Sequence, residues 1–359
     1  MAARTAYDEV RYSNYPYAQT HPDRLATVAA LHGLAAPDPR TSRVLELGCG
    51  AGANLLAIAA AAPGVRALGV ELAAEPVAEG RLAIAELGLT SVELRRADVC
   101  ALTEGELGEF DYVLVGGPAA GDHLLAGGAP AGDAVLAACH AHLAADGLAC
   151  VPSPLAGRAA AGHGLAFVGD AAPGWAVLCR DSRTAASAID RAALRGMHFA
   201  AAGDASTGGR DALLASALAL LRARAPDTIG FRELRAALAA EPDALAAALL
   251  AGLRAELVVP HATPLRVVRA AEIERPAASP LARRQARHGP EVTSLAHTVV
   301  RMEEPAARLL LTLLDGTRTR PAIRAEFGER TGVRLSPEDL DANLDRLGRL
   351  FLLAEVGGV

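Results

Sequence analysis

Val44-Leu45-Glu46-Leu47-Gly48-Cys49-Gly50-Ala51-Gly52 is the stretch on which the reading of this sequence turns. Residues 43–47 form a short apolar run of the kind that makes a buried strand, and residues 54–62 continue as a helix. The glycines between them let the backbone turn tightly and come close to a ligand. The amides at the start of the following helix would then face that ligand. A pyrophosphate-binding turn has the spacing G-x-G-x-x-G. Here the spacing is E-x-G-x-G-x-G, with an acid inside the strand end. An acid two residues before the first glycine suits a cationic ligand end, such as an ammonium, better than a pyrophosphate. A generic Gly-rich turn between strand and helix is the plainer alternative.

Working outward, strands and helices alternate. Strands are expected at 67–70, 91–94, 110–115 and 148–151, and helices at 22–34, 74–87 and 133–144. Such alternation argues for a parallel sheet covered by helices on both faces. Two further runs, 165–168 and 175–178, flank a Gly-Asp-Ala-Ala-Pro-Gly turn and read as a hairpin at one sheet edge. Residues 203–210 (GDASTGGR) are the best linker. Beyond it the pattern is helical at 211–223, 231–239 and 242–255. A strand-like 257–259 follows, then a Pro-, Arg- and Ala-rich stretch at 276–290 read as irregular. Helices resume at 304–314, 319–327 and 336–353. Short helices with a short intervening strand suggest winged-helix-like units. The expected division is an N-terminal lid segment at 1–22, an α/β domain at 23–202 and a helical C-terminal domain at 203–359, with 203–275 and 291–359 as its two subunits.

Bulk composition narrows the options. A chain of 359 residues can bury more than one core. Hydrophobic residues make up 52% but aromatics only 3%, so the core is built from Ala, Leu and Val. The net charge of −6 gives no electrostatic footprint for nucleic acid. Every cationic side chain other than His is Arg. The five cysteines form no C-x-x-C pair and no zinc spacing, which predicts reduced thiols, no metal and a cytoplasmic location. No apolar run of membrane-spanning length is present, so no membrane is expected as a partner.

Two more acids fall where a nucleotide-binding sheet needs them. Glu71 ends the second strand, where a carboxylate can accept both ribose hydroxyls. Asp98 follows the third strand and could accept an adenine amino hydrogen, or simply cap the next turn. In this order and spacing, the residues resemble class I S-adenosylmethionine-dependent methyltransferases. That resemblance implies a Rossmann-like seven-stranded sheet and S-adenosylmethionine as cofactor. Gln19, Glu46, Gly48, Gly50, Gly52, Asn54, Glu71, Leu72, Asp98, Val99 and Gly116 would be the cofactor-binding residues. Tyr7-Asp8-Glu9-Val10, the run Gln19 through Ala26, residues 159–169, Ser279-Pro280-Leu281-Ala282-Arg283 with Gln285-Ala286-Arg287, and Leu313-Leu314-Asp315-Gly316-Thr317-Arg318 narrow it further. They resemble the bacterial methyltransferases that carry a regulatory domain, a group that includes rickettsial protein lysine methyltransferases. The likeness spreads over most of the chain.

Two departures stand out. Residues 151–155 lead almost directly into the sixth-strand region, so the family's regulatory insertion is missing. The loop after strand four, 115–123, carries no aromatic cage for a lysine ammonium. Residues 309–355 also resemble small winged-helix peptide-binding modules; a helical packing or dimerisation domain is the alternative.

Methyl transfer from a sulfonium needs proximity and a route for any proton, not a metal. The N-terminal segment holds four of the five tyrosines and could fold over the cofactor as a lid. The residues that would act on the acceptor are Tyr7, Tyr17 and His21, with Asp122 and His123 as a second pair. His21 could equally be a structural hydrogen-bonder before its helix. Three functions stay open. One is methylation of a protein or peptide. Another is a small-molecule methyltransferase whose C-terminal domain serves as a dimer interface or lid. The third is a silent cofactor-binding scaffold. The expected partners are a protein or peptide substrate and, as an option, a second copy docked through the C-terminal domain.

Overall fold

The structure is a computed structural model and describes residues 15–116, 129–159, 162–203, 211–270 and 273–355. Its centre is a seven-stranded sheet: β1 Arg43–Leu47, β2 Arg66–Glu71, β3 Val92–Arg96, β4 Phe110–Val115, β5 Leu143–Pro152, β6 Leu165–Ala172 and β7 Trp175–Arg180. The order across it is β3-β2-β1-β4-β5-β7-β6. The first five strands run parallel, and β7 lies antiparallel to both β5 and β6. This is the Rossmann-like sheet expected, with the hairpin at one edge. Strand β5 begins earlier than the apolar run at 148–151 suggests, because Leu143 still pairs with Phe110 across an irregularity in the ladder.

Two apolar cores, one on each face, explain why β1 and β4 read as continuous hydrophobic runs. Val44, Tyr112 and Leu114 enter one, and Leu45, Leu47, Val113 and Val115 the other. Helices α1 Pro22–Leu31, α2 Ala53–Ala61 and α3 Ala74–Leu87 flank the sheet. Helix α1 stops three residues short of the expected 34. Gly33 takes a φ of 75°, and Leu34 turns back to bond the Ala29 carbonyl.

The strand β8, His198–Ala201, lies before the expected linker yet is the middle of a separate three-stranded antiparallel sheet with β9 Ile229–Gly230 and β10 Val258–His261. Helices Ala212–Arg224, Phe231–Leu238 and Pro242–Arg254 share one core with it. Asp23 of α1 ties this unit to the sheet domain. It accepts hydrogen bonds from the Thr263 amide and hydroxyl, both at 2.6 Å, and pairs with His261.

The last unit is a C-terminal winged helix built of helices Pro280–His288, Pro305–Leu313, Arg320–Thr331 and Pro337–Arg349. The short strand β11 Ala277–Ala278 pairs with Leu353–Ala354, and a hairpin of β12 Glu291–Thr293 with β13 Val299–Arg301 accompanies the helices. The stretch 276–290, expected to be irregular, therefore holds a helix. Pro280 sits in its first turn, where a missing N–H is harmless, and Leu281, Ala282 and Ala286 are buried. Leu281 packs with Leu56, Ala57 and Ala83 of α2 and α3. Arg284 pairs with Glu86 of α3 at 2.5 Å, a second docking contact of this helix. The Leu313–Arg318 motif proves to be a turn. Asp315 accepts from the amides of Thr317 and Arg318, and Gly316 takes a φ of 80°. Among the described residues no single helix is long and apolar enough to cross a membrane.

Candidate functional site

The glycine turn sits at the carboxyl end of the parallel strands, where ligands bind in open α/β sheets. Gly48, Gly50 and Gly52 all have positive φ, at 75°, 56° and 76°, a region other residues seldom enter. The amides of Gly48 and Cys49 are spent on the Val70 carbonyl, and that of Gly50 on Glu71 Oε2 at 2.9 Å. These three amides tie the turn to β2. Glu71 uses its other oxygen on the Ala73 amide, also at 2.9 Å. It braces the turn, while its oxygens keep lone pairs for further donors. Gly116 donates its N–H to the Leu47 carbonyl at 2.7 Å, and a Cβ there would lie 2.1 Å from the Gly48 carbonyl oxygen. Only glycine permits this approach.

Beneath the turn, Glu46 is buried on a strand whose other buried residues, Val44, Leu45 and Leu47, are apolar. One oxygen accepts from Asn54 Nδ2 at 3.0 Å. The other, Oε2, is buried with no hydrogen-bond partner among the described residues. Burial pushes this carboxyl up to about 8, against the contact from Asn54 and with help from the charge of Glu71. Asn54 lies at the start of α2 and is itself buried. Its amide also donates to Thr20 Oγ1 at 3.1 Å, and its carbonyl accepts from the Tyr17 backbone N–H at 3.2 Å. Asn54 is thus fully engaged by protein, and its part is to hold Glu46.

The N-terminal residues described, Tyr15 onward, reach Asn54. A one-turn 3₁₀ helix, Ala18–Thr20, carries Gln19 and leads into α1. Tyr17 stacks on Trp175 at the start of β7, with ring centroids 6.5 Å apart. Burial, then the charges of Glu46 and Tyr15, raise the Tyr17 hydroxyl above its ordinary value, so it stays a donor. His21 is the N-cap of α1: its Nδ1 accepts the Asp23 N–H at 3.2 Å. That leaves the proton on Nε2, so the neutral ring has no free lone pair for general-base work, and the structural reading of His21 prevails.

The remaining expected residues divide. Asp98 is exposed and accepts the Cys100 N–H at 2.9 Å, capping the turn after β3. Val99 is buried in the core, and Leu72 is half-buried with its carbonyl accepting from Arg96. Tyr7, Asp122 and His123 lie outside the described residues. The sequence reading missed two residues. The sequence marks Trp175 only as a strand residue. His297, at the tip of the β12–β13 hairpin, places Nε2 2.7 Å from Asn54 Oδ1 and its ring centroid 4.9 Å from that of His21. No motif marks it; only folding brings it within reach of a residue 243 positions away.

Residues 44–147 match the family model of a methyltransferase domain, and residues 274–333 that of the PKMT C-terminal winged helix domain. A methyltransferase domain therefore lies within this chain. Two uncharacterized proteins of Rickettsia prowazekii (strain Madrid E) are similar to this chain. One is 38% identical over 117 residues, 33% of this chain and 21% of that protein. The other is 34% identical over 114 residues, 32% of this chain and 45% of that protein. The chain thus spans less than half the length of the curated relatives it matches. In solved structures, the fold is similar to that of PKMT2 from Rickettsia typhi, covering 96% of this chain and 100% of that one with a TM-score of 0.79 at 16% identity. The complex of that protein with AdoHcy gives the same TM-score and coverage at 15% identity.

Proposed function

We propose that this methyltransferase binds S-adenosylmethionine through Glu46 and the glycine turn and methylates a protein or peptide acceptor. The observation that carries the cofactor assignment is the orphaned Oε2 of Glu46. A buried carboxylate oxygen without a partner is costly, and a cationic N–H donor is what satisfies it. The residues fit the cofactor: Glu46 would take the methionine ammonium, and the remaining lone pairs of Glu71 the ribose hydroxyls. Asp98, with one oxygen already capping a turn, has the other for an adenine amino group. When bound, the cofactor supplies the electrophilic methyl group. The chain supplies position and water exclusion. Tyr17, backed by Trp175, gives an aromatic wall whose face favours cationic groups.

The protein or peptide acceptor is supported by the PKMT-type winged helix and by a fold shared with PKMT2 over nearly the whole chain. A lysine amine is the side chain that name suggests, and the Tyr17–Trp175 pair partly supplies the aromatic surface absent from residues 115–116 and from the sequence after them. Free thiols at all five cysteines agree with a cytoplasmic enzyme. Calorimetric titration with S-adenosylmethionine and S-adenosylhomocysteine tests the first half, with roughly micromolar affinity expected. Transfer of labelled methyl groups to peptide arrays tests the second. Binding without transfer to any peptide would overturn the acceptor assignment.

A further inference from the structure

His297 is an expensive residue to keep. Its backbone adopts a φ of 60°, which a side chain with a Cβ resists. Its ring is buried, and Nδ1 has no hydrogen-bond partner among the described residues. Neither feature serves the winged-helix core, which is built of Leu310, Leu311, Ile323, Leu344 and their neighbours without it. Both are explained by where the side chain goes. The hairpin is anchored from outside the winged helix by Tyr15, whose hydroxyl donates to Glu291 at 2.7 Å, and its tip delivers His297 to Asn54.

The chemistry at that contact has one consistent arrangement. The Tyr17 N–H and Asn54 Oδ1 fix the carbonyl side of the amide, so Asn54 Nδ2 faces Glu46. His297 must then donate from Nε2. Burial and the neighbouring His21 hold its imidazole well below the ordinary range, which keeps the ring neutral. A neutral ring that donates from Nε2 leaves a lone pair on Nδ1 as an acceptor. Glu46 Oε2 and His297 Nδ1 are therefore two buried atoms without partners among the described residues, hung from the two ends of one Asn54 side chain.

We propose that His297 is a positioning residue through which the winged helix sets cofactor affinity: its Nε2–H orients Asn54, and Asn54 holds Glu46 with one oxygen presented to the cofactor ammonium. The winged helix is then part of the methyl-transfer site, not an appended recognition module. A substrate that loosens or tightens the hairpin would change cofactor binding through this one contact, and linkage requires the effect to run both ways.

The inference rests on the assignment of Glu46 to the cofactor, and the test separates the two. S-adenosylhomocysteine affinity of the full chain is measured by calorimetry for wild type, Glu46→Gln, His297→Leu, His297→Gln, Asn54→Leu, the His297→Leu/Asn54→Leu pair, and Arg284→Ala. His297→Leu is expected to weaken binding about tenfold, the loss of one buried hydrogen bond. His297→Gln keeps an N–H donor and is expected to restore most of the affinity. The double variant is expected to bind no worse than Asn54→Leu alone, since both act in one chain of contacts. Arg284→Ala, which loosens docking at a distance from the site, is expected to bind within a few-fold of wild type. Unchanged affinity in Glu46→Gln would sink the cofactor assignment. Weakened Glu46→Gln beside wild-type affinity in folded His297→Leu, or additive losses in the double variant, would overturn the role of His297 alone. A loss in Arg284→Ala equal to that in His297→Leu would do so too, by reducing the effect to docking.

Discussion

Replacing Glu46 with Gln should separate charge from shape at the heart of the cofactor site. The amide keeps an oxygen for Asn54 Nδ2 but cannot offer an anion at the position of the orphaned Oε2. A hydrogen bond to a charged group contributes roughly 1.5–3 kcal/mol, so cofactor affinity should fall roughly 10- to 100-fold. The titration behaviour is more diagnostic than the affinity. In the free protein Glu46 sits at about 8, so it is mostly protonated at neutral pH. Beside an ammonium it must ionise, and binding at pH 7 should release most of a proton. Wild-type affinity should therefore climb as pH rises towards 8 and fall again above it, where the cofactor's own ammonium loses its proton. Calorimetry in buffers of different ionisation heat counts the protons, and Glu46→Gln should release close to none. Equal affinities, or a wild-type binding step with no net proton release, would refute the reasoning. The same shift has a consequence for folding. The folded chain keeps a proton that the unfolded chain loses above about 4.5, so this group's contribution is full below that pH. It is lost as pH climbs to about 8. Thermal melts of the unliganded protein at those two ends should show the Gln variant to be the less pH-sensitive.

Other outcomes follow from single contacts. Gly116→Ala puts a carbon against the Gly48 carbonyl with no flexible neighbour to yield, and should cost about 1–3 kcal/mol in denaturant unfolding. A loss of a few tenths would mean the turn can shift. Gly48→Arg should abolish cofactor binding, because φ is positive there and the turn is packed; retained affinity would undo the motif assignment. Burial works to raise the Asp23 carboxyl, but hydrogen bonds from His261 and Thr263 outweigh it and lower the net value. Asp23→Ala should therefore cost about 2 kcal/mol and loosen the β8–β10 unit, seen as faster amide exchange at Thr263. Asp315 is held at about 2: burial opposes the shift, and the Thr317 and Arg318 contacts carry it. Its stabilisation is complete above about 3.8 and lost as pH falls through about 2, so Asp315→Asn should flatten acid unfolding of the winged helix in that window.

Much of the fold was legible because its signals are local. Residues 43–52 show an apolar run, an acid and three alternating glycines, and each maps to a strand, a buried carboxylate and a positive-φ turn within a few positions. The strand–helix alternation fixed the parallel sheet, since a strand covered on both faces has to be apolar throughout. The Ser336-Pro337-Glu338-Asp339 start was equally plain, and the structure gives it a capping box. The Pro280–His288 helix was hidden because its composition resembles a loop, while its buried side depends on α2 and α3 from elsewhere in the chain.

The sequence by itself determined that a glycine turn follows an acid-bearing strand in an α/β domain with a helical C-terminal part. Each of these is a property of neighbours along the chain, set by backbone freedom and hydrophobic period. Only the tertiary structure decided what surrounds Glu46. Asn54, Thr20, Tyr17 and His297 converge on one buried point, and the partners of a buried polar group depend on packing among distant segments. It also decided that His21 caps a helix and that His297 reaches Asn54. Histidine carries two ring nitrogens whose roles are set by what each one touches. That is a property of geometry, and no spacing in the sequence encodes it.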